Sequence, residues 1–175
     1  QQRVIDHHRK NGGMPRKDKF VYYYTNYLGR LPEPDKVNRL CDNFARLVFQ
    51  EVLKAPEIPG AEKFLKKHHE HVKCFVVSAT PDEEIEAIVT HRNLKTYFWE
   101  IKGSSRSKSD HVTSLIEKYE LDPQKCLFWG DAGGDYWAAE KTGLDFIGIL
   151  PDKRAPLLKI APEIAWHKNF LELEE

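Results

Sequence analysis

Asp131 and Asp135, in Phe128-Trp129-Gly130-Asp131-Ala132-Gly133-Gly134-Asp135, are the residues of this chain whose type and spacing point most directly to chemistry. An apolar strand delivers Gly130, a residue that tolerates close backbone approach or an unusual dihedral. The two carboxylates then straddle a tight strand-to-helix turn. Hard oxygen ligands in this arrangement suit Mg²⁺, which takes one or two protein carboxylates and keeps waters or phosphate oxygens for its other positions. The plain alternative is that Asp131 caps the following helix and Asp135 faces solvent, and a G-D-x-x-x-D string alone does not separate the two. A dinucleotide-binding turn is a poorer match, because the G-x-G-x-x-G spacing is absent.

A second segment, Val76-Val77-Ser78-Ala79-Thr80, ends a buried strand with a hydroxyl. Beside free backbone N–H groups at a helix start, that hydroxyl makes a cradle for phosphate oxygens. Simple N-capping by Thr80 is the structural alternative. The third segment carries Lys108, in Gly103-Ser104-Ser105-Arg106-Ser107-Lys108-Ser109-Asp110-His111. A lysine at a helix start opposes the helix dipole and calls for an anion nearby. Arg106 shares the loop, and both cations also have a solvated reading.

The elements that must position these groups fall into two parts. Helical periodicity runs from Val4 to Lys10 and stops at Asn11-Gly12-Gly13. Pro15 fits the first turn of a second helix, whose apolar positions Phe20, Tyr23, Tyr24, Tyr27 and Leu28 end at Gly29. A third helix follows Pro34 with a stripe of Val37, Leu40, Phe44, Leu47, Val48 and Val52, expected to lie against apolar neighbours. The tyrosines Tyr22, Tyr23, Tyr24 and Tyr27 read as packing residues. Past Pro59 the rhythm changes to strands at 73–78, 97–101, 126–129 and 146–150, with helices at 61–71, 81–92, 108–120 and 133–142. This alternation predicts an α/β fold with a Rossmann-like parallel sheet covered on both faces. The expected division is an all-helical part over residues 1–56 and an α/β part over 57–175. Ligands in such sheets sit beyond the carboxyl ends of the strands, where all three segments converge.

Composition narrows the field. Lys and Arg number 27 and Asp and Glu number 27, a balance that argues against a dedicated nucleic-acid binder or a polybasic membrane anchor. Cys41, Cys74 and Cys126 form neither a disulfide framework nor a zinc spacing, which points to the reducing cytoplasm. No apolar stretch is long enough to span a bilayer and no signal peptide opens the chain. His68, His69 and His71 lie on a helix at the far end of a strand, away from the site, and are not expected to bind metal. The acidic tail 171–175 needs no function, and the oligomeric state stays open.

Together and in this order, the Ser78, Lys108 and Asp131/Asp135 segments resemble motifs II, III and IV of the haloacid dehalogenase (HAD) superfamily, over Ile58 to about Leu150. The N-terminal helices resemble the helical, C1-type cap of its phosphoglycolate-phosphatase-like and β-phosphoglucomutase-like members. The resemblance implies that Ser78 and Ala79 bind the transferring phosphoryl group and that Lys108 stabilises it together with an aspartyl partner. Asp131 and Asp135 would hold Mg²⁺, directly or through water. In the cap, Arg16 and Lys19 would grip an anionic part of the substrate. The implied function is a Mg²⁺-dependent phosphatase acting on a small phosphorylated metabolite through an aspartyl-phosphate. A phosphomutase and a non-catalytic binding or regulatory module are the alternatives.

One departure stands out. The family's D-x-D motif, whose first aspartate attacks phosphorus and whose second exchanges protons with the leaving group and water, has no match in the 175 residues. Asp6-His7-His8 sits in a helix and does not follow an apolar strand. In the family the strand bearing D-x-D lies between the one ending at Ser78 and the one ending at Asp131. Without it those strands would expose unpaired backbone in the interior, at a cost beyond the roughly 5–15 kcal/mol that stabilises a domain. The expectation is therefore that a segment N-terminal to Gln1 supplies strand and nucleophile, and that these 175 residues alone are inactive.

Overall fold

The computed structural model describes residues 1–12 and 14–173; Gly13 of the expected turn and residues 174 and 175 of the acidic tail lie outside the described residues. Three helices come first: α1 (Gln2–Lys10), α2 (Arg16–Leu28) and α3 (Pro34–Lys54). Gly29 ends α2 in the left-handed region, at φ 64°, and Pro34 opens α3 where its missing N–H costs nothing. The tyrosines pack. His7 of α1 stacks on Tyr22 of α2 at 4.0 Å between ring centroids, and Tyr23 stacks on Tyr27 at 5.7 Å. Phe20 meets Phe44 edge-on, joining α2 to α3.

The stripe of α3 is covered less than its spacing suggests. Val37 is fully buried, but Leu47 is 77% exposed and Val52 also reaches solvent. The cause is length, since α2 has 13 residues to set against the 21 of α3.

Then come α4 (Ala61–His68), β1 (Phe75–Val77), α5 (Asp82–His91), β2 (Glu100–Lys102), α6 (Lys108–Tyr119), β3 (Leu127–Gly130), α7 (Gly133–Thr142), β4 (Asp145–Ile149), α8 (Leu157–Ile160) and β5 (Ala165–His167). Every strand pair is parallel, as the alternation requires. The sheet is not continuous, however. β1 pairs with β2, and β3, β4 and β5 form a second ladder; among the described residues β1 and β3 are not paired. Each ladder thus ends on a strand that carries a candidate site loop. Side chains join the two halves: α6 packs on both α7 and β1, and Phe64 of α4 meets Trp129 of β3 edge-on at 5.7 Å. Buried Leu115, Ala138, Ala139, Leu150 and Leu157 form the apolar interior.

One local expectation needs correction, and two short elements go beyond the sequence reading. The strand expected from Tyr97 begins only at Glu100, because residues 95–97 wind a 3₁₀ turn. β5 and α8, at three and four residues, are too short to leave a periodic signal. No helix among the described residues is long and apolar enough to cross a membrane.

Glu100, at the start of β2, bonds Lys102, Lys118 and the Tyr119 hydroxyl. These partners, Lys102 foremost, hold its carboxyl at about 2 against an ordinary 4.5. A depressed carboxylate stabilises the fold above its unfolded pKa, and that stability is lost as pH falls through the folded value. Glu100→Gln is expected to cost about 1 kcal/mol at neutral pH, screening by solvent at the exposed Lys118 included. The deficit should shrink between pH 4.5 and pH 2. Urea melts across that range check it, and a deficit unchanged at pH 2 would assign the effect to packing.

Candidate functional site

The loops after β1 and β2 start level because the register sets Val77 opposite Lys102. Ser78 N donates to Lys102 O at 2.8 Å, and Ser78 Oγ accepts from Thr80 N at 3.1 Å. The hydroxyl proton is left to give elsewhere. Among the described residues the N–H of Ala79 has no acceptor, so two donors stand together at the end of β1. Thr80 does not cap the next helix as expected. α5 begins at Asp82 behind Pro81, with no side-chain cap.

Asp82 turns instead to the neighbouring loop, accepting from Gly103 N at 2.8 Å and Ser105 N at 3.1 Å. Only glycine fits at 103, since a Cβ there would run into the Asp82 backbone and Thr80 O. Burial pushes the Asp82 carboxyl up, but the two amides, helped by nearby His111, outweigh it and hold the group below its ordinary value. The carboxylate staples the lysine-bearing loop to the start of α5, just after the Ser78–Thr80 segment.

At the end of that loop Ser107 caps α6 by accepting from Asp110 N at 3.2 Å, which places Lys108 at the first helical position. Its Nζ bonds Asp135 Oδ1. Asp135 is 5% exposed, and its other oxygen accepts from Ala132 N at 3.1 Å and Asp131 N at 3.3 Å. Gly130 is required for this arrangement, because a Cβ would occupy the space of the Asp135 side chain.

Asp131 is different. It is exposed and, among the described residues, its carboxylate accepts no hydrogen bond from another residue. Desolvation by the surrounding loop, then the charge of Asp135, push its pKa up, with Lys108 pulling the other way. An uncommitted hard-oxygen anion beside a second carboxylate fits a divalent cation. Among the described residues no group of three or more His, Cys, Asp or Glu could hold a metal ion. Water and phosphate oxygens would complete the shell, as Mg²⁺ prefers.

The two cap cations part company. Arg16 is committed to Glu84 of α5 through two bonds of 2.6 and 2.8 Å, donates to Cys41 O at 3.3 Å, and lies 4.7 Å over the Phe44 ring. It ties α2 to α3 and α5. Lys19 is buried, its Nζ bonded to Gly12 O at 3.3 Å. A Cβ on Gly12 would lie 3.9 Å from the Ala132 Cβ, so this turn lies near the Asp131 loop.

Sequence spacing missed Asp82, Glu84 and His111. Asp82 and Glu84 lie in the first turn of α5, and only bonds across 21 and 68 positions reveal what they hold. His111 is buried, with Nε2 lacking a partner among the described residues. Two open hollows of the surface lie elsewhere. One of about 460 Å³ adjoins the starts of β3 and β4, and one of about 660 Å³, lined by Phe49, Glu83, Ala87 and Lys95, lies between α3 and α5.

The model of the haloacid dehalogenase-like hydrolase family matches residues 7–149. The chain belongs to that family. Solved structures agree in fold. A predicted phosphatase from Clostridium acetobutylicum superposes with a TM-score of 0.73 at 22% identity, over 92% of this chain and 76% of its own. A predicted phosphoglycolate phosphatase from Haemophilus somnus gives 0.68 at 18%, over 91% and 76%. A haloacid dehalogenase-like hydrolase from Streptococcus pneumoniae gives 0.69 at 18%, over 93% and 76%. No curated protein matches the sequence.

In this HAD-like hydrolase, Asp82→Ala strips the acceptor from the buried Gly103 amide, at a cost of roughly 1–3 kcal/mol. Amide exchange at Gly103 and Ser105 should accelerate more than in α7. Uniform acceleration across the chain would mean that Asp82 supports global stability and has no special hold on this loop.

Proposed function

We propose that this HAD-like hydrolase is a Mg²⁺-dependent phosphatase of small phosphorylated metabolites. One observation carries the reading: Lys108 is bound to Asp135 beside the uncommitted Asp131 carboxylate, in the loops where α/β sheets bind ligands. The balanced charge favours a small-molecule substrate over nucleic acid, and the name of the Haemophilus somnus relative is in keeping with a phosphorylated acid.

Ser78 Oγ–H and Ala79 N–H donate to the non-bridging phosphoryl oxygens. Lys108 Nζ, held by Asp135, faces the negative charge that builds in transfer, so no reorganisation is needed at that moment. Asp131, with Asp135 behind it, presents the carboxylate that holds the cation. Mg²⁺, when bound, supplies Lewis-acid neutralisation of the phosphate oxygens. The reading assigns the attacking carboxylate to a D-x-D segment outside these 175 residues, entering between β1 and β3, where an aspartyl-phosphate would form and be hydrolysed. Residues 1–56 would then act as a cap over the strand ends of 57–175 and exclude bulk water.

The test has two arms. The chain carrying a D-x-D strand should hydrolyse p-nitrophenyl phosphate only with Mg²⁺, and the 175 residues alone should not. Asp131→Asn in the former should lower kcat/KM at least 100-fold, about 2.7 kcal/mol of transition-state binding, with the melting temperature nearly unchanged. Wild-type turnover by Asp131→Asn, or full activity in chelator, would refute the metal role.

A further inference from the structure

We infer that Glu84 is a positioning residue for Lys108: by holding Arg16 it ties the seating of the N-terminal helices to the loop that carries the lysine. The inference rests on the phosphatase reading. It starts from a pair that stability alone does not explain. The Arg16 and Glu84 side chains are 15% and 21% exposed, so both charges have lost much of their hydration. An ion pair in that setting often holds no better than two well-packed apolar side chains. What the fork adds is orientation, because two bonds of 2.6 and 2.8 Å fix the angle between the partners as well as their distance. Arg16 is itself held, by Cys41 O at 3.3 Å and by the Phe44 ring at 4.7 Å.

The helix on the other side of the pair has a second attachment. Among the described residues no side chain caps α5, which begins at Asp82 behind Pro81. Its first turn is placed from outside, by Asp82 on Gly103 N and Ser105 N and by Glu84 on Arg16. Positions two apart on a helix point about 200° apart around its axis, so the two carboxylates leave on opposite sides. One rigid turn therefore joins the N-terminal helices to the loop at 103–107. The far end of α5 is fastened as well. Arg92, just past it, donates to Leu53 O at 3.4 Å and to Ala55 O, at the end of α3, and α3 packs along α5. The helix α5 thus follows the N-terminal helices as a unit.

The loop ends on Lys108. Ser107 caps α6, Lys108 takes the first helical position, and its Nζ bonds Asp135. A shift of Glu84 reaches the lysine through Asp82, Gly103 and Ser105. Ser78 is held separately, its N–H on Lys102 O in line with the ladder of β1 and β2. Loss of the pair therefore disturbs the group that faces charge during transfer more than the groups that bind the ester at rest, and it falls on kcat rather than KM.

The chain carrying a D-x-D strand is assayed on p-nitrophenyl phosphate with Mg²⁺, and amide exchange is followed at Gly103, at Ser105 and in α7. The variants are Glu84→Gln and the double variant Arg16→Met with Glu84→Leu, which removes both charges and keeps apolar packing. Each should lower kcat tenfold or more with KM within about twofold of the wild type. Exchange at Gly103 and Ser105 should quicken at least tenfold while α7 is unchanged. The double variant should melt near the wild-type temperature, since no charge is left unpaired in it. A wild-type kcat in the double variant overturns the inference, as does a raised KM with kcat unchanged. Exchange that quickens equally across the chain assigns the pair to global stability and also overturns it. If the wild-type chain hydrolyses no phosphomonoester, the phosphatase reading fails and exchange alone decides the link. Acceleration confined to Gly103 and Ser105 then sustains it, and none overturns it.

Discussion

A carboxylate sealed from water must find donors for both oxygens or lose its charge, and Asp135 meets that demand inside the site. One oxygen takes the ammonium of Lys108 and the other takes two backbone amides of the turn that presents Asp131. Two loops from separate strands are thereby fixed to one buried group. Gly130 leaves room for it, and Asp82 repeats the device one loop further on by fastening residues 103–105 to the start of α5. Removing either partner of such a pair strands a charge in the interior, so geometry and stability are set by the same bonds. The outcome is one carboxylate spent on architecture beside a neighbour, Asp131, that accepts no hydrogen bond from another residue among the described residues.

The helices at the N-terminus meet the α/β part through a different kind of contact. Arg16 and Glu84 form a two-pronged pair whose side chains are only 15% and 21% exposed, with the guanidinium stacked on Phe44. A planar fork matched to a carboxylate fixes orientation as well as distance, which a lysine would not do. Three residues on, Lys19 has no such partner among the described residues and bonds the carbonyl of Gly12. The arginine thus ties the helices to the α/β part, while the buried lysine is a local cost in desolvation.

Much of the architecture was legible because its signals are local. The left-handed Gly29 and Gly143, Pro34 at a helix start and the strand–helix alternation each act within a few residues, and α7 falls where the spacing put it. Ser78, Lys108, Asp131 and Asp135 were legible as candidates because each follows a strand, and parallel pairing brings strand ends to one edge. The short β5, the discontinuity between β1 and β3 and the half-covered stripe of α3 were not, since three residues carry no period and coverage depends on the length of a neighbour.

By itself, then, the sequence determined the residue types available for phosphoryl chemistry, their order and their placement after strands. Only the tertiary structure decided how they divide the work. Asp131 and Asp135 look equivalent in sequence, as do Arg16 and Lys19. What separates them is which donors and acceptors the fold brings within about 3 Å, and hydrogen bonds between residues 27 or 68 positions apart leave no mark on local spacing.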